Sequence, residues 1–317
     1  MTQQSEFQRP DVSIVIPCRN EEDNIEVMAA SVIKEMEPFN LAFDLIFIDN
    51  ESQDRTVELA KGLCARDPRI RLIVNTRNFG QMRSPTHAIF EARGRAIISL
   101  CCDFQDPPTL IPQFIERWRA GFDIVLGVRE AEASTFPLGL IRDLSYAFAR
   151  RFGDYPIIRN ATGFGLYDEK VVRAIAKLNE PEPFFRGMLV ETGYSVETIL
   201  YPRPKRARGK SNNNFFVLLD FTMSALAGFS KKLVRVPFAL GLFALAAMTL
   251  SLISAIIAVF VHGEPIFWLI CGAVEFQFGA LFVALGVMGD QMRLISERTR
   301  GTPLVIERER VNFPDGY

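Results

Sequence analysis

Patterned cysteine is missing from this 317-residue chain. Its five cysteines, Cys18, Cys64, Cys101, Cys102 and Cys271, form no CxxC pair and no metal-ligand spacing. An odd, unpatterned set argues against a disulfide framework and fits reduced thiols facing the cytosol. Charge of one sign is missing too. The formal net charge is -1, so bulk electrostatics favours neither nucleic acid nor any other highly charged partner. Residues 1–11 are polar and hold no apolar h-region, so no cleaved signal peptide is expected and the soluble part should stay on the side where it was made. Internal repeats and low-complexity tracts are absent as well.

Apolar sequence is plentiful, at 49%, but unevenly spread. Two stretches near the C-terminus, residues 237–261 and 266–289, are each long enough for the roughly 20 helical residues that cross a bilayer core. Between them lies Val261-His262-Gly263-Glu264-Pro265, a turn signal without Lys or Arg. Lys231, Lys232 and Arg235 precede the pair, and Arg293, Arg298, Arg300, Arg308 and Arg310 follow it. The positive-inside rule then places both flanks and both termini in the cytoplasm and the turn outside. Between residues 215 and 234 the chain is apolar with a few polar breaks and then turns basic. It reads equally as an interfacial helix or as a helix packed on the soluble domain.

The region before the spans alternates strand-like and helical patterns. Strands are expected at 12–17, 43–48, 70–74, 96–100 and 123–127, with helices over 21–36 and from 53 to about 65. Such alternation implies βαβ units and a mostly parallel sheet, whose ligands bind outside the carboxyl ends of the strands. Polar residues fall at those ends in series: Asn20 and Glu21, Asp49 and Asn50, Arg77 and Asn78, then Asp103. One of these alone would pass as a loop cap. Four at one edge point to a shared nucleotide site.

The residues at these ends carry a resemblance. Ile14-Val15-Ile16-Pro17-Cys18-Arg19-Asn20-Glu21-Glu22-Asp23-Asn24-Ile25 resembles the opening of family-2 glycosyltransferases. Phe47-Ile48-Asp49-Asn50-Glu51-Ser52-Gln53-Asp54-Arg55-Thr56 resembles their second signature. Asp103-Phe104-Gln105-Asp106-Pro107-Pro108 is similar to a motif of the polyprenyl-phosphate branch, the branch of dolichol-phosphate mannose synthase and the bactoprenol-phosphate glucosyltransferases. Arg206-Ala207-Arg208-Gly209-Lys210-Ser211 and Gly286-Val287-Met288-Gly289-Asp290 match the same branch further on. The resemblance implies a GT-A, Rossmann-like α/β sheet domain followed by a two-helix transmembrane hairpin. It implies transfer of a hexose from a nucleotide diphosphate sugar, UDP-glucose-like or GDP-mannose, to a polyprenyl phosphate.

On this reading Pro17, Asn20, Glu21, Asp49, Arg77, Asn78 and Asp103 bind the donor. Asp49 suits a donor from the base or a ribose hydroxyl. Asp103 and Gln105 are hard oxygen ligands two residues apart; on an extended segment they would point the same way and suit Mg²⁺ or Mn²⁺ beside the diphosphate. The branch's first metal-motif acid is Cys101 here, so metal affinity without donor is expected to be weak. Catalytic roles are expected of Asp103, Gln105, Asp106 and Arg206. The resemblance places acceptor-phosphate contacts at Arg129, Arg142, Ser145, Lys210 and Ser211. Many bacterial members carry an acid in the segment equivalent to Ala161–Tyr167, where this chain has Thr162-Gly163. An ionised phosphate acceptor needs no base, whereas a sugar hydroxyl does; Asp154 and Asp106 are the substitutes available.

Glu275 inside the second span, and Gly272, Gly279 and Gly286 at seven-residue intervals, suggest a close-packed face and a homo-oligomer, a tetramer by resemblance. The expected domains are a cytoplasmic glycosyltransferase unit (1–212), a membrane-proximal segment (213–234), two spans (235–292) and a cytoplasmic tail (293–317). A processive polysaccharide synthase would carry a Q-x-x-R-W motif and more spans, and neither is found. Two other readings stay open: a non-catalytic membrane scaffold of the same fold, compatible with Cys101 and Gly163, and a glycosyltransferase with a sugar-hydroxyl acceptor.

Overall fold

A computed structural model describes residues 9–130, 158–202 and 265–314, together with Tyr317. The first hydrophobic stretch and the membrane-proximal segment lie outside the described residues, as do Arg142, Ser145, Asp154, Arg206, Lys210 and Ser211.

Eight strands form one sheet. They are β1 (Val12–Cys18), β2 (Phe43–Asp49), β3 (Ile70–Asn75), β4 (Ala96–Ser99), β5 (Ile124–Arg129), β6 (Ala161–Asp168), β7 (Val196–Tyr201) and β8 (Glu307–Val311). Their order is β7-β5-β6-β4-β1-β2-β3-β8. β1, β2, β3 and β4 are mutually parallel, as is the β5–β7 pair, while β6 and β8 run antiparallel to their neighbours. The five expected strands are thus present, within two residues of their expected ends.

The helices are α1 (Ile25–Met36), α2 (Thr56–Arg66), α3 (Gly80–Glu91), α4 (Ile111–Arg119), α5 (Glu169–Ala176), α6 (Phe185–Glu191) and α7 (Pro265–Arg300). Strand side chains alternate between the two faces. Ile14, Ile16, Leu45, Phe47 and Leu72 pack in one buried cluster with residues of α1, α2 and α4. Val15, Ile46, Ile48 and Ile73 pack in a second with residues of α3, α5 and α6. A sheet covered on both faces explains why β1 to β3 read as continuous apolar runs rather than as alternating ones. Full burial of each Ile or Leu contributes about 1.5–3 kcal/mol. Where β6 crosses β5 there is no room for a side chain: a Cβ on Gly165 would lie 2.3 Å from the Val125 carbonyl oxygen.

The C-terminal part departs from expectation. Residues 293–317 are not a free tail. Helix α7 runs on to Arg300, and the chain then returns to the sheet as β8, pairing with β3. The return is well anchored. The Asn312 side chain donates to the carbonyls of Cys64, Asp67 and Ile70. Arg71, buried with Asp44 at 2.8 Å, also donates to Asn312 O and lies under the Tyr317 ring. Thr302–Tyr317 therefore belongs to the same compact unit as the sheet.

Taken by itself, α7 contains a 21-residue segment, Phe276–Ser296, of mean hydropathy 1.4, long and apolar enough to cross a membrane. It is the one such helix among the described residues. The expected span, 266–289, overlaps this segment only in part. Gly279 and Gly286 lie on it with open space where a side chain would be. The side chain of Glu275 lies outside the described residues.

Candidate functional site

The carboxyl ends of β1, β2, β3 and β4 carry the polar series seen in the sequence, now on adjacent strands. Cys18 and Asp49 are register partners on β1 and β2, and Asp49 and Val74 on β2 and β3.

Asp49 is almost fully buried. Its Oδ2 accepts from Ser52 N at 3.1 Å, while its Oδ1 has no hydrogen-bond partner among the described residues. An orphaned buried carboxylate oxygen is costly, and in a native fold it calls for an explanation such as an absent ligand donor. Burial lifts the Asp49 carboxyl above its ordinary range, against the hydrogen bonds from Ser52 and the nearby charge of Arg308. The rival role of helix cap falls to Asp54, whose Oδ1 accepts from Thr56 N at 3.0 Å.

Several of the other expected donor contacts also shape the loops. Asn20, at φ 55, accepts Gln53 N on its Oδ1 and donates its own N–H to Ser52 Oγ. Glu21 donates its N–H to Thr56 Oγ1 and accepts from the Asn24 side chain. Together these bonds stitch the loop after β1 to the loop after β2. Asn78 Oδ1 accepts from Asn50 Nδ2 and from Gly80 N. Asn50 Oδ1 in turn accepts from Phe79 N and from Asn75 Nδ2. The amides of Asn50, Asn75 and Asn78 thus pin the loop after β3. Sequence reading noted Asn50 as a polar landmark and passed over Asn75, because an amide inside an apolar strand carries no signal of its partners. Arg77 is exposed and covers the Phe79 ring at 4.0 Å. Pro17 is half-buried near the end of β1.

The loop after β4 corrects an expectation. Cys101 to Asp106 is a tight turn rather than an extended segment, with Phe104 in the left-handed region at φ 61. Gln105 N donates to Asp103 Oδ1 at 3.1 Å. Strand alternation therefore does not place Asp103 and Gln105 on one side; the turn ties the Gln105 backbone to the Asp103 carboxylate. A bulky residue at positive φ is unfavourable and occurs where surroundings over-determine it, often at functional sites.

Asp106 does not face solvent. It is buried, and its carboxylate accepts from Cys101 N at 3.2 Å, Arg129 Nη2 at 3.1 Å and Tyr201 OH at 3.0 Å. Arg129 Nε also donates to Tyr201 OH at 3.2 Å. Arg129 and Tyr201 thus tie Asp106, and with it the turn after β4, to the ends of β5 and β7. Tyr201 escaped the sequence reading because β7 has no distinctive pattern.

Cys101 is exposed at the turn after β4. Its crowded setting, Asp106 and Asp103 push the thiol up, so it stays neutral. A neutral thiol is a poor ligand for a hard cation. Asp103 and Gln105, half-buried, remain as oxygen ligands. One carboxylate beside an amide is a small set, but it fits Mg²⁺ or Mn²⁺ if substrate phosphates and water complete the shell. No group of three or more His, Cys, Asp or Glu able to hold a metal alone occurs among the described residues.

Gly163 also departs from expectation. It adopts φ +93, a conformation that L side chains rarely take, and its carbonyl accepts from Tyr167 OH. Backbone geometry explains the glycine, so it is not simply a deleted acid.

The sheet is mixed and mostly parallel. Residues 13–174 match the family described as Glycosyl transferase family 2. The chain belongs to this family. It is 30% identical over 302 residues to an uncharacterised glycosyltransferase of Synechocystis, covering 93% of this chain and 94% of that one. It is 27% identical to the putative glycosyltransferase CsbB of Bacillus subtilis, over 96% of this chain and 93% of that one. It is 28% identical to a bactoprenol glucosyl transferase of Shigella phage SfX, over 94% of this chain and 99% of that one.

Proposed function

We propose that this glycosyltransferase moves a hexose from a nucleotide diphosphate sugar to a polyprenyl phosphate at the cytoplasmic face of a membrane. The observation that carries the donor half is the orphaned Oδ1 of buried Asp49 at the carboxyl end of β2. A base N–H or a ribose hydroxyl satisfies it. UDP-glucose and GDP-mannose are the donors to try first. The acceptor half rests on the relative named as a bactoprenol glucosyl transferase.

Asp103 and Gln105 would hold Mg²⁺ or Mn²⁺, which supplies charge neutralisation for a diphosphate leaving group. Asp106, Arg129 and Tyr201 hold the turn that presents them. The acceptor phosphate is already ionised near neutrality, with a second pKa of about 6, so a single inverting displacement needs no proton-accepting side chain. Arg206, Arg142, Ser145, Lys210 and Ser211 are proposed as phosphate contacts, with Arg206 serving the departing diphosphate or the lipid.

The strand that follows α7 bears on topology. A sheet cannot be split by a bilayer, so β8 and β3 must lie on one side. If α7 spans, the chain between β7 and β8 crosses an even number of times, which supports a hairpin made with residues 237–261. A homo-oligomer is proposed from Glu275 and the glycine stripe.

Mass spectrometry of lipid products, with each donor and either undecaprenyl phosphate or undecaprenol, tests the reading. Glycosylated lipid phosphate is expected and none from the free alcohol. Transfer to a sugar hydroxyl, or no product with any donor, would overturn it.

A further inference from the structure

Strand β8 reaches the sheet at the carboxyl end of β3, beside the candidate donor site. Val74 pairs with Glu309 and Asn75 with Glu307, so Arg308 is the extra residue of a β-bulge. Bulges re-aim a side chain and are over-represented next to active sites. The neighbours of Arg308 are engaged with helices: Glu307 with His87 of α3, Glu309 with Lys61 of α2, and Arg310 with Glu91 of α3. Arg308 is exposed and forms no ion pair with the described residues.

Asp49, Val74 and the bulge stand in one line across β2, β3 and β8. The guanidinium of Arg308 is near enough for its charge to act on the Asp49 carboxylate. From β4, whose loop bears Asp103, to β8 there are four strand spacings, roughly 19 Å at ~4.8 Å each. Arg308 therefore lies at the end of the site away from the metal loop, where a bound nucleoside rather than a diphosphate would sit.

We propose that Arg308 is a nucleoside-contacting residue of the donor site, supplied by the strand that follows the long helix. It rests on the donor reading above. Arginine suits the task, because its planar fork both stacks on a ring face and donates in the ring plane. The nucleotide site is then completed only once the chain has passed through α7 and returned. Thr76 N and Oγ1, both donating to Ile306 O, and Arg83, donating to Pro303 O, hold that return at the rim.

Calorimetry of UDP and of GDP binding to the full chain in nanodiscs with Mn²⁺ tests the assignment, on wild type, Asp49→Asn, Arg308→Ala and Arg308→Lys. Hydrogen exchange at Thr76 reports whether β8 stays docked. The expected result is that Arg308→Ala weakens the better-bound nucleotide about tenfold, Arg308→Lys weakens it less, and Thr76 stays protected. Unchanged affinity in Arg308→Ala, while Asp49→Asn loses binding, overturns the role of Arg308 and leaves the donor site standing. Lost affinity with lost Thr76 protection would also overturn it, since Arg308 would then act by holding the strand. A wild type that binds neither nucleotide overturns the donor reading, and this inference with it.

Discussion

Arg129 Nη2 lies 3.1 Å from Asp106 Oδ1, and both side chains are largely withdrawn from water. The pair ties the turn after β4 to the ends of β5 and β7, where Arg129 and Tyr201 are register partners. Losing one partner of a buried pair strands the other charge. Asp106→Ala should cost roughly 3 kcal/mol, about 10 °C in Tm for a domain of this size. Asp106→Asn should lower stability and turnover together and leave the shape of the pH–rate profile unchanged. Thermal melts with a pH–rate profile check this. A variant of native stability whose basic pH limb disappears would instead mark Asp106 as a base.

On the proposed reading Asp103 is the carboxylate that would hold the metal. Asp103→Asn, which retains an oxygen for the Gln105 N–H, should fold normally and lose transfer by at least about 10²-fold, as loss of one electrostatic stabiliser typically does. EDTA should abolish activity and Mn²⁺ or Mg²⁺ restore it. Full turnover in EDTA contradicts a metal role. Because Cys101 stays a neutral thiol, Cys101→Asp should tighten metal binding measured without donor.

Buried Asp49 has its carboxyl raised above the usual ~3.9. Between the unfolded and folded values the native state holds more protons, so this group's contribution to stability is present below that window and is lost as pH rises through it. Donor binding runs the other way, since the ionised carboxylate is the better acceptor for an N–H. Nucleotide affinity should fall as pH drops into the window, and Asp49→Asn should remove that dependence. Calorimetry across the acidic range checks both.

Gly163 needs its positive φ, so Gly163→Asp should destabilise the protein. Thr162, exposed beside it, is the better place to add an acid. Thr162→Asp should raise the rate by less than the 10²-fold lower bound of general-base catalysis. The wild-type profile should follow the acceptor's ionisation near ~6. A gain above 10²-fold would show that a base was wanted after all.

Glu307 docks β8. Burial opposes its ionisation, but hydrogen bonds from His87 and Arg310 draw its carboxyl down to about 2. A depressed acid stabilises the fold above its unfolded pKa of ~4.3 and loses that contribution as pH falls toward 2. Glu307→Gln should speed hydrogen exchange at Thr76, and the wild type should show the same loosening in acid. A reporter after Tyr317 should be active only in its cytoplasmic form, and a cysteine at position 263 should be labelled from outside in intact cells. Protection of that cysteine would contradict the hairpin.

The sequence by itself determined what depends on local chemistry and chain order. Apolar runs between polar landmarks located β1 to β5, because strands buried on both faces must be continuously apolar. The order of the motifs disclosed the family, and the hydropathy of residues 266–289 marked a long apolar helix, part of which lies in the segment of α7 long and apolar enough to cross a membrane. Asp49 and Asp103 were legible because each stands at a strand end inside a motif. Tertiary structure alone decided what depends on partners far apart in the chain. Asp106 reads as a motif acid, yet Arg129 and Tyr201, the latter 95 residues away, make it an anchor. Asn20 and Asn78 read as ligand contacts, and the structure adds that both also clamp their loops. Glu307-Arg308-Glu309-Arg310 reads as solvated charge after a membrane helix. It becomes a strand because Leu72 to Asn75 on β3 leave one edge of hydrogen-bonding groups that only a returning chain can satisfy.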